Sequence, residues 1–349
     1  MAALATLCAA AAVVAALSTA GAAPVRPAVA VTAQTDLQVV TALRRDGLQY
    51  TWHARVDQVG PTGACGTNAA YEAGQSSTFY VEQQACAEDV LIPALLDQDG
   101  PAIEVALRAL DWAFAHQAAD GSFRGGADTF HSASVFLPAA ARVVLLLRQS
   151  PLVGQYTTRL DSYVEPMRRA AQYLARPDVL GAGRSGDAPY GHRRFLVGAA
   201  LGLVGDVADD TPLKTAARGL FEEGMALQRP DGSILERGGP DSHYQAYGMT
   251  FALTWLANNP RDPLAARLAA TMDRASAWEA ARVGPDGAVS IEGNTRTAGQ
   301  ERNRDGTPKK LIYHSVIRAL GGWAVLRPSP SLLTTAQRVA AYKRDHPDA

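Results

Sequence analysis

Cysteine is scarce in this chain, and neither charge is in excess. Only three of the 349 residues are cysteines, and no cysteines and histidines have the spacing of a metal site. The 33 basic residues nearly balance the 34 acidic ones, without a basic stripe or a polybasic segment. These absences argue against a bound structural metal, against nucleic acid as a partner and against binding to a membrane surface.

The first 30 residues are almost entirely alanine, valine and leucine, and small residues from Ser18 to Ala23 resemble a cleavage zone. We therefore expect residues 1–30 to be a signal peptide and 31–349 to form a single secreted or periplasmic domain. An uncleaved anchor is the alternative, but the apolar run is short for a span and is interrupted by small polar residues. No other segment is predicted to span a bilayer, so we expect no membrane contact after cleavage.

The cysteine positions agree with export. Cys8 lies in the leader, which leaves Cys65 and Cys86 as a pair in a loop-rich stretch. A disulfide between them would stabilise the fold by about 3 kcal/mol, because it restricts the unfolded chain. The alternative is two unpaired buried thiols.

Alternating strand-type patterns are also scarce, whereas 47% of the residues are hydrophobic. From residue 100 onward the apolar residues have helical spacing. Two such stretches lie within 103–114 and 137–146, and further patterns run near 157–175, 193–205, 212–228, 243–258, 263–282, 312–325 and 331–344. Residues 48–85 are polar and glycine-rich, which predicts a long loop region.

An Asp-Gly turn recurs along the helical part. Asp120-Gly121 and Asp231-Gly232 each belong to a Gln-x-x-Asp-Gly-Ser segment, and Asp178 and Asp286 fill the gaps at steps of 58, 53 and 55 residues. Each step has room for two helices, and a lone helical hairpin cannot bury its apolar face, so neighbouring hairpins must stack. Five or six hairpins would fill residues 35–345. The pattern resembles the all-α, incomplete (α/α)5–6 toroid of many sugar-active enzymes and terpenoid cyclases.

Polar side chains cluster where several of these helices begin. The first cluster contains Arg237, His243, Tyr244 and Gln245, the second Tyr190, His192 and Arg193, the third His131, and the fourth Asn294 and Arg296, followed by His314 at the next helix start. A capping role for Asp241 or Ser242 would explain one residue but not the others. The alternatives are capped surface turns, core histidines and a solvated loop. Helix starts of one sense gather at one end of a toroid, so these clusters are predicted to share a cleft suited to an anionic ligand.

The spacing of three of these residues resembles the toroidal alginate lyases and related uronate-cleaving polysaccharide lyases. Arg237 follows His192 by 45 residues, the Asp231-Gly232 turn precedes it, and Tyr244 comes seven residues later. The family places an asparagine before the histidine, where this chain has Gly191, so Asn294 or His131 would have to take that role. The resemblance implies a monomeric lyase acting on an alginate- or glucuronan-type polymer without a metal or organic cofactor.

The resemblance implies Tyr244, His192 and Arg237 as the catalytic residues. Arg237 or His192 would neutralise the uronate carboxylate, and Tyr244 would transfer the C5 proton during β-elimination. A phenol has a pKa near 10 in water, so a nearby cation would be needed if it acts as a base. The predicted substrate-binding residues are His131, Tyr190, Arg193, His243, Gln245, Asn294, Arg296 and His314.

Three other interpretations are open. A glycoside hydrolase would need two carboxylates roughly 5–10 Å apart, for which Glu236, Asp241 and Glu292 are candidates. A terpenoid cyclase would need an Asp-rich motif, and the only run is Asp206, Asp209 and Asp210, in a loop between helices. A non-catalytic sugar-binding or scaffold protein is the third, although pure scaffolding does not account for the polar helix starts.

Overall fold

The computed structural model describes residues 34–48, 54–123, 129–297, 299, 301–303 and 306–348. The predicted signal peptide and Cys8 lie outside this range. Within it the protein is all-helical: it contains thirteen α-helices, short 3₁₀ helices and isolated β-bridges, but no strand.

The α-helices are α1 (Asp36–Arg45), α2 (Asn68–Glu72), α3 (Cys86–Asp97), α4 (Gly100–Ala115), α5 (Thr129–Gln149), α6 (Val153–Ala175), α7 (Pro177–Gly186), α8 (Gly191–Ala208), α9 (Thr211–Ala226), α10 (Ser242–Asn258), α11 (Ala265–Ala281), α12 (Tyr313–Leu326) and α13 (Pro330–Asp345). All nine stretches with helical spacing are confirmed. The loop predicted at 48–85 is wrong in part, because it contains α2 and the 3₁₀ helices Val56–Gln58 and Val81–Ala85.

Ten of the helices form five hairpins: α3–α4, α5–α6, α8–α9, α10–α11 and α12–α13. The first helix of each hairpin also packs against the first helix of the next. Buried residues occur on all sides of α8 and α10 but on one face of α6 and α9. The first helices therefore form the interior and the second helices face outward. Helix α1 packs on α5, α10 and α12.

The repeated turn is confirmed at Asp120-Gly121, Asp231-Gly232 and Asp286-Gly287. In each, an aspartate oxygen accepts the backbone N–H two residues on, and the glycine φ lies between +88° and +94°. A Cβ on these glycines would lie 2.2–2.4 Å from a backbone carbonyl oxygen, so a side chain has no room. The oxygens belong to Arg169 of α6, Arg274 of α11 and Arg338 of α13. Each turn therefore packs against the second helix of the hairpin that follows it.

A fourth copy of this turn, which was not predicted, lies at Gly63. Gly63 has φ +107°, and a Cβ there would lie 2.2 Å from the carbonyl oxygen of Arg108 in α4. The prediction at Asp178 is wrong, because that residue lies in the first turn of α7, where Arg176 binds its carboxylate. The α8–α9 hairpin thus follows α7 instead of an Asp-Gly turn.

The predicted disulfide is confirmed. Cys65 and Cys86 are bonded, with their Cα atoms 6.6 Å apart. The bond ties the Gly63 turn to the first residue of α3, so it connects the start of the hairpin series to the segment that precedes it.

Helix α5 qualifies by length and composition as a membrane span, which the sequence reading did not expect. However, 78% of its most apolar window is buried inside the protein. That burial is what a core helix between α3, α6 and α8 requires.

Candidate functional site

A chain of hydrogen bonds joins His192, Glu236 and Arg296. The first turn of α8 places His192 beside Glu236, with Nδ1 2.9 Å from Oε2, and Arg296 Nη1 donates to Oε1 at 2.6 Å. All three side chains are at most 4% exposed. Because Glu236 accepts from Nδ1, we infer that Nε2 carries the lone pair. Burial lowers the pKa of His192, although the neighbouring charge of Glu236 raises it, and the net direction favours the neutral ring.

Tyr244 lies in the first turn of α10, where cations surround it. Its ring faces the Arg296 guanidinium, with Cζ 3.5 Å from the ring centroid, and the His192 ring centroid is 4.7 Å away. Lys309 Nζ donates to the Tyr244 hydroxyl oxygen at 3.0 Å. Negative charge that develops on this oxygen would therefore be stabilised directly.

Glu301 holds these cations together. It accepts from Arg296 Nε at 2.5 Å and pairs with Lys309 Nζ at 3.0 Å. Burial would raise the pKa of Glu301, but the hydrogen bonds from Arg296 and Lys309 lower it to about 2. Glu301 is therefore ionised at any working pH and fixes both cations around Tyr244.

Arg237 lies at the rim of this cluster. Its side chain is 51% exposed, and its Nη1 lies 3.8 Å from Glu301 Oε2. The backbone has φ +53°, and its N–H donates to the Pro189 carbonyl, which directs the residue outward. A loosely paired, exposed guanidinium is available to an anionic ligand.

Three residues predicted to bind substrate are instead occupied by the protein itself. Gln245 accepts from the Ile234 N–H and donates to the Ala275 carbonyl. Asn294 accepts from the Ser242 N–H and Arg282, and it donates to Thr297. Arg296 donates three hydrogen bonds to the carboxylates of Glu236 and Glu301. We assign all three to positioning, because a substrate would have to break buried hydrogen bonds to reach them.

Three other predicted binding residues surround the cluster. His243 is 7% exposed and stacks on Tyr247, and burial together with the nearby charges of His192, Arg296 and Lys309 lowers its pKa to about 3. Tyr190 lies under the guanidinium groups of Arg193 and Arg296, at 4.7 and 4.6 Å. Arg193 itself is paired with Asp187, so it lies at the edge of the cluster.

The last two predicted residues lie elsewhere. His314 lines a cavity between the first helices of the hairpins. His131 is in the first turn of α5, next to Ser132, whose hydroxyl donates to Glu82. Replacement of the family asparagine by Asn294 is hard to reconcile with its buried contacts, and replacement by His131 stays a prediction.

The acids proposed for a hydrolase do not face one another across a cleft. Glu236 is 2% exposed and ion-paired, and Glu292 is exposed on its loop. Asp241 is fully buried: it caps α10 through the Tyr244 N–H and accepts the N–H groups of Arg296 and Thr297. Its role is to hold the Arg296 loop against the helix start.

Neither Lys309 nor Glu301 is among the predicted site residues, although Glu301 belongs to the polar loop around Asn294. Both lie between the Asp286-Gly287 turn and α12, in or just after the polar loop noted around Asn294. Lys309 shares with the predicted residues a position close to a helix start. No sequence pattern connects it with Tyr244, which is 65 residues away.

Across the described ranges, no three His, Cys, Asp or Glu side chains are grouped as metal ligands would be. Comparison with known proteins found no match to this chain among family models, curated proteins or solved structures.

Proposed function

We propose that this protein is a polysaccharide lyase that cleaves a uronate-containing polymer, of the alginate or glucuronan type, by β-elimination. The observation that carries the proposal is the environment of Tyr244: a phenol beside a neutral histidine, over one guanidinium and hydrogen-bonded to one ammonium. Proton transfer at a weakly acidic carbon needs such a group, with fixed charges nearby.

We also propose that the hairpins form an incomplete α/α toroid. Five hairpins in chain order, whose first helices pack on one another in sequence, support this arrangement. The starts of two of those first helices, α8 and α10, carry His192 and Tyr244, as expected for a toroid with its cleft at one end. The Cys65–Cys86 disulfide supports export, because such bonds persist in oxidising compartments.

In the proposed reaction, Arg237 binds the uronate carboxylate at the rim. Its charge offsets the negative charge that builds up as the C5–H bond breaks. Neutralising the carboxylate in this way makes the C5 proton more acidic.

Tyr244 is the proton-transfer group. As a phenolate stabilised by Lys309, it takes the C5 proton while the electron pair forms the C4–C5 double bond and the C4–O bond breaks. The phenol then returns the proton to the leaving oxygen. Neutral His192, with its ring centroid 4.7 Å from that of Tyr244, can share either step through Nε2.

The direct test is incubation of the purified protein with alginate, polyglucuronate and other polyuronates while the ultraviolet absorbance of the unsaturated product is followed. We expect a rise on at least one polymer. Release of reducing sugar without unsaturated product would indicate a hydrolase, and binding without turnover would indicate a sugar-binding protein; either result contradicts the proposal.

Tyr244→Phe tests the mechanism. We expect the rate to fall by about 10²–10⁴-fold, the usual contribution of positioned proton transfer, with an unchanged circular dichroism spectrum. Tyr342→Phe on α13 is the matched control and should keep the full rate. A fully active Tyr244→Phe variant would show that the phenol transfers no proton.

A further inference from the structure

A second polar region lies inside the ring of first helices. It is a cavity of about 340 Å³ between α3, α5, α8, α10 and α12. Its lining includes Glu88, Arg142, Tyr247, Phe251, His314 and Arg318. The Tyr244 mechanism uses none of these residues, so the cavity needs its own explanation.

The cavity adjoins the Tyr244 cluster. Tyr247 lines it and also stacks on His243, with ring centroids 6.1 Å apart, and the His192 ring is 6.0 Å away. One aromatic side chain therefore belongs to both spaces. A ligand bound at Tyr244 would therefore lie next to the cavity, with the Tyr247 side chain between the two.

The inner end of the cavity has a floor. Tyr247 and Thr254 both line it, and seven residues of α10 separate them by about 10 Å along the helix axis. Arg142 also lines the cavity, and its guanidinium donates hydrogen bonds of 2.6 and 2.8 Å to Asp36 of α1. Since α1 packs across α5, α10 and α12, a polymer entering from the Tyr244 side meets this ion pair.

The lining combines aromatic rings with charged groups of both signs, the carboxylates of Glu88 and Asp89 and the guanidinium groups of Arg142 and Arg318. Tyr247 and Phe251 offer aromatic surface, and their ring centroids are 4.8 Å apart. Arg318 is partly exposed and pairs with Glu88 at 2.8 Å, while Glu88 also binds Arg142. Apolar walls with a few convergent charged groups are typical of small-ligand sites.

We propose that this cavity receives the terminal uronate units of the polymer, so that cleavage proceeds from a chain end. The proposal rests on the lyase function above. A cavity with a floor about 10 Å deep accommodates the end of a chain, whereas an internal segment would have to continue through Arg142 and α1.

The test is the size distribution of products over time on an active polyuronate. We expect the same one or two short unsaturated oligomers from the first minutes, with a slow fall in viscosity. A ladder of sizes with a rapid fall in viscosity would overturn chain-end action while the unsaturated product still supported the lyase. If no polyuronate gave unsaturated product, the lyase function itself would fail, and this proposal with it.

Blocking the chain ends separates the two possible directions. One polymer sample is reduced at its reducing end, and another carries a 4,5-unsaturated unit at its other end. Chain-end action predicts that one of these changes slows turnover at least tenfold. Equal rates on both and on the untreated polymer would contradict the proposal.

Two variants test the cavity itself. Arg318→Gln removes a lining charge, and we expect KM for the polymer to rise about tenfold with kcat unchanged, as for loss of one charge-assisted hydrogen bond. Ala139→Met narrows the same cavity from α5 and should raise KM without removing a charge. The matched control is the exposed Arg267→Gln on α11. If both variants folded and had wild-type KM, the cavity would not bind substrate.

Discussion

Two buried arginines, Arg142 and Arg296, have nearly the same surroundings and yet serve different purposes. Each side chain is 4% exposed, and each is held between two carboxylates. The partners are Asp36 and Glu88 for Arg142, and Glu236 and Glu301 for Arg296. Burial and ion pairing alone therefore do not identify a catalytic centre.

The difference is in what else each arginine contacts. Arg142 joins three helices, because its partners come from α1 and α3 while it belongs to α5. Arg296 comes from a loop and lies against the ring of Tyr244, beside a histidine that shares its carboxylate. The first ion group joins three helices, whereas the second surrounds the phenol that we propose as the proton-transfer group.

Replacing either arginine by methionine should have the largest effect on stability. Each change leaves buried carboxylates without their partner, so we expect Arg142→Met and Arg296→Met each to lower the free energy of unfolding by about 3–5 kcal/mol. Urea denaturation of both variants measures this. The exposed Arg267→Met is the control and should stay within about 0.5 kcal/mol. A loss below about 1 kcal/mol for one arginine would show that the two ion groups are not equivalent.

Removing a carboxylate from the Arg296 ion group should lower activity, which would distinguish this group from ion pairs that only join helices. Glu236→Gln removes the acceptor that orients His192 and one charge on Arg296, so we expect kcat to fall about 100-fold. Asp273→Asn, which loses the ion pair with Arg327 between α11 and α12, is the control and should leave kcat unchanged. If Glu236→Gln were as active as wild type, the His192 tautomer would not contribute to proton transfer.

A variant of Arg237 tests whether the substrate carboxylate binds at the rim of the Tyr244 cluster. We expect Arg237→Gln to lower kcat/KM about tenfold, because one charge-assisted hydrogen bond to the uronate carboxylate is lost. Arg229→Gln, on the preceding exposed turn, should change kcat/KM by less than twofold. Steady-state kinetics on the preferred polyuronate measure both variants. Equal kcat/KM values for the two would show that Arg237 does not bind the substrate carboxylate.

We expect the smallest effect on stability at Glu279. Unlike the carboxylates of the two ion groups, this fully buried acid has no hydrogen-bond partner among the described residues. Burial raises its pKa well above the ordinary value of 4.5. Its contribution to stability is therefore complete below pH 4.5 and is lost as pH rises toward the folded-state pKa, by up to about 1.4 kcal/mol per pH unit.

Glu279→Gln should remove this dependence, but the buried amide is also left without hydrogen-bond partners, so we expect a net stabilisation of about 1 kcal/mol at neutral pH. The measurement is urea unfolding at several pH values between 4.5 and neutrality, with the exposed Glu222→Gln as control. If the free energy of unfolding depended on pH in the same way in this variant and in the wild type, the Glu279 carboxyl would not be the cause of the dependence.

Helical periodicity was sufficient to predict the hairpins, because apolar spacing is a local property. The turn at Gly63 could also have been predicted, since Val59-Gly60-Pro61-Thr62-Gly63-Ala64-Cys65 closely matches Val283-Gly284-Pro285-Asp286-Gly287-Ala288-Val289. A second pattern would have supported this prediction. Each arginine whose carbonyl oxygen lies against a turn glycine is followed four positions later by an aromatic residue. These pairs are Arg108 and Trp112, Arg169 and Tyr173, Arg274 and Trp278, and Arg338 and Tyr342.

The site was less predictable because its contacts span long distances in sequence. His192 and Tyr244 were correctly expected to lie near each other, since both open first helices. Lys309 reaches Tyr244 across 65 residues, and no periodic pattern encodes that contact. Gln245 and Asn294 have the residue types of a binding site, but whether an amide faces substrate or backbone depends on tertiary packing.

The α8–α9 hairpin, which lacks the glycine turn, has a consequence for how the protein can vary. Before each of the other four hairpins, a turn glycine packs against the second helix of that hairpin. This contact fixes the length and path of the segment that leads into the hairpin. Before α8, the connection instead contains a whole helix, α7, and then leads directly to Tyr190 and His192. We expect homologues to differ most in length between residues 176 and 190, so that the entrance to the site can be remodelled while the remaining hairpins keep their packing.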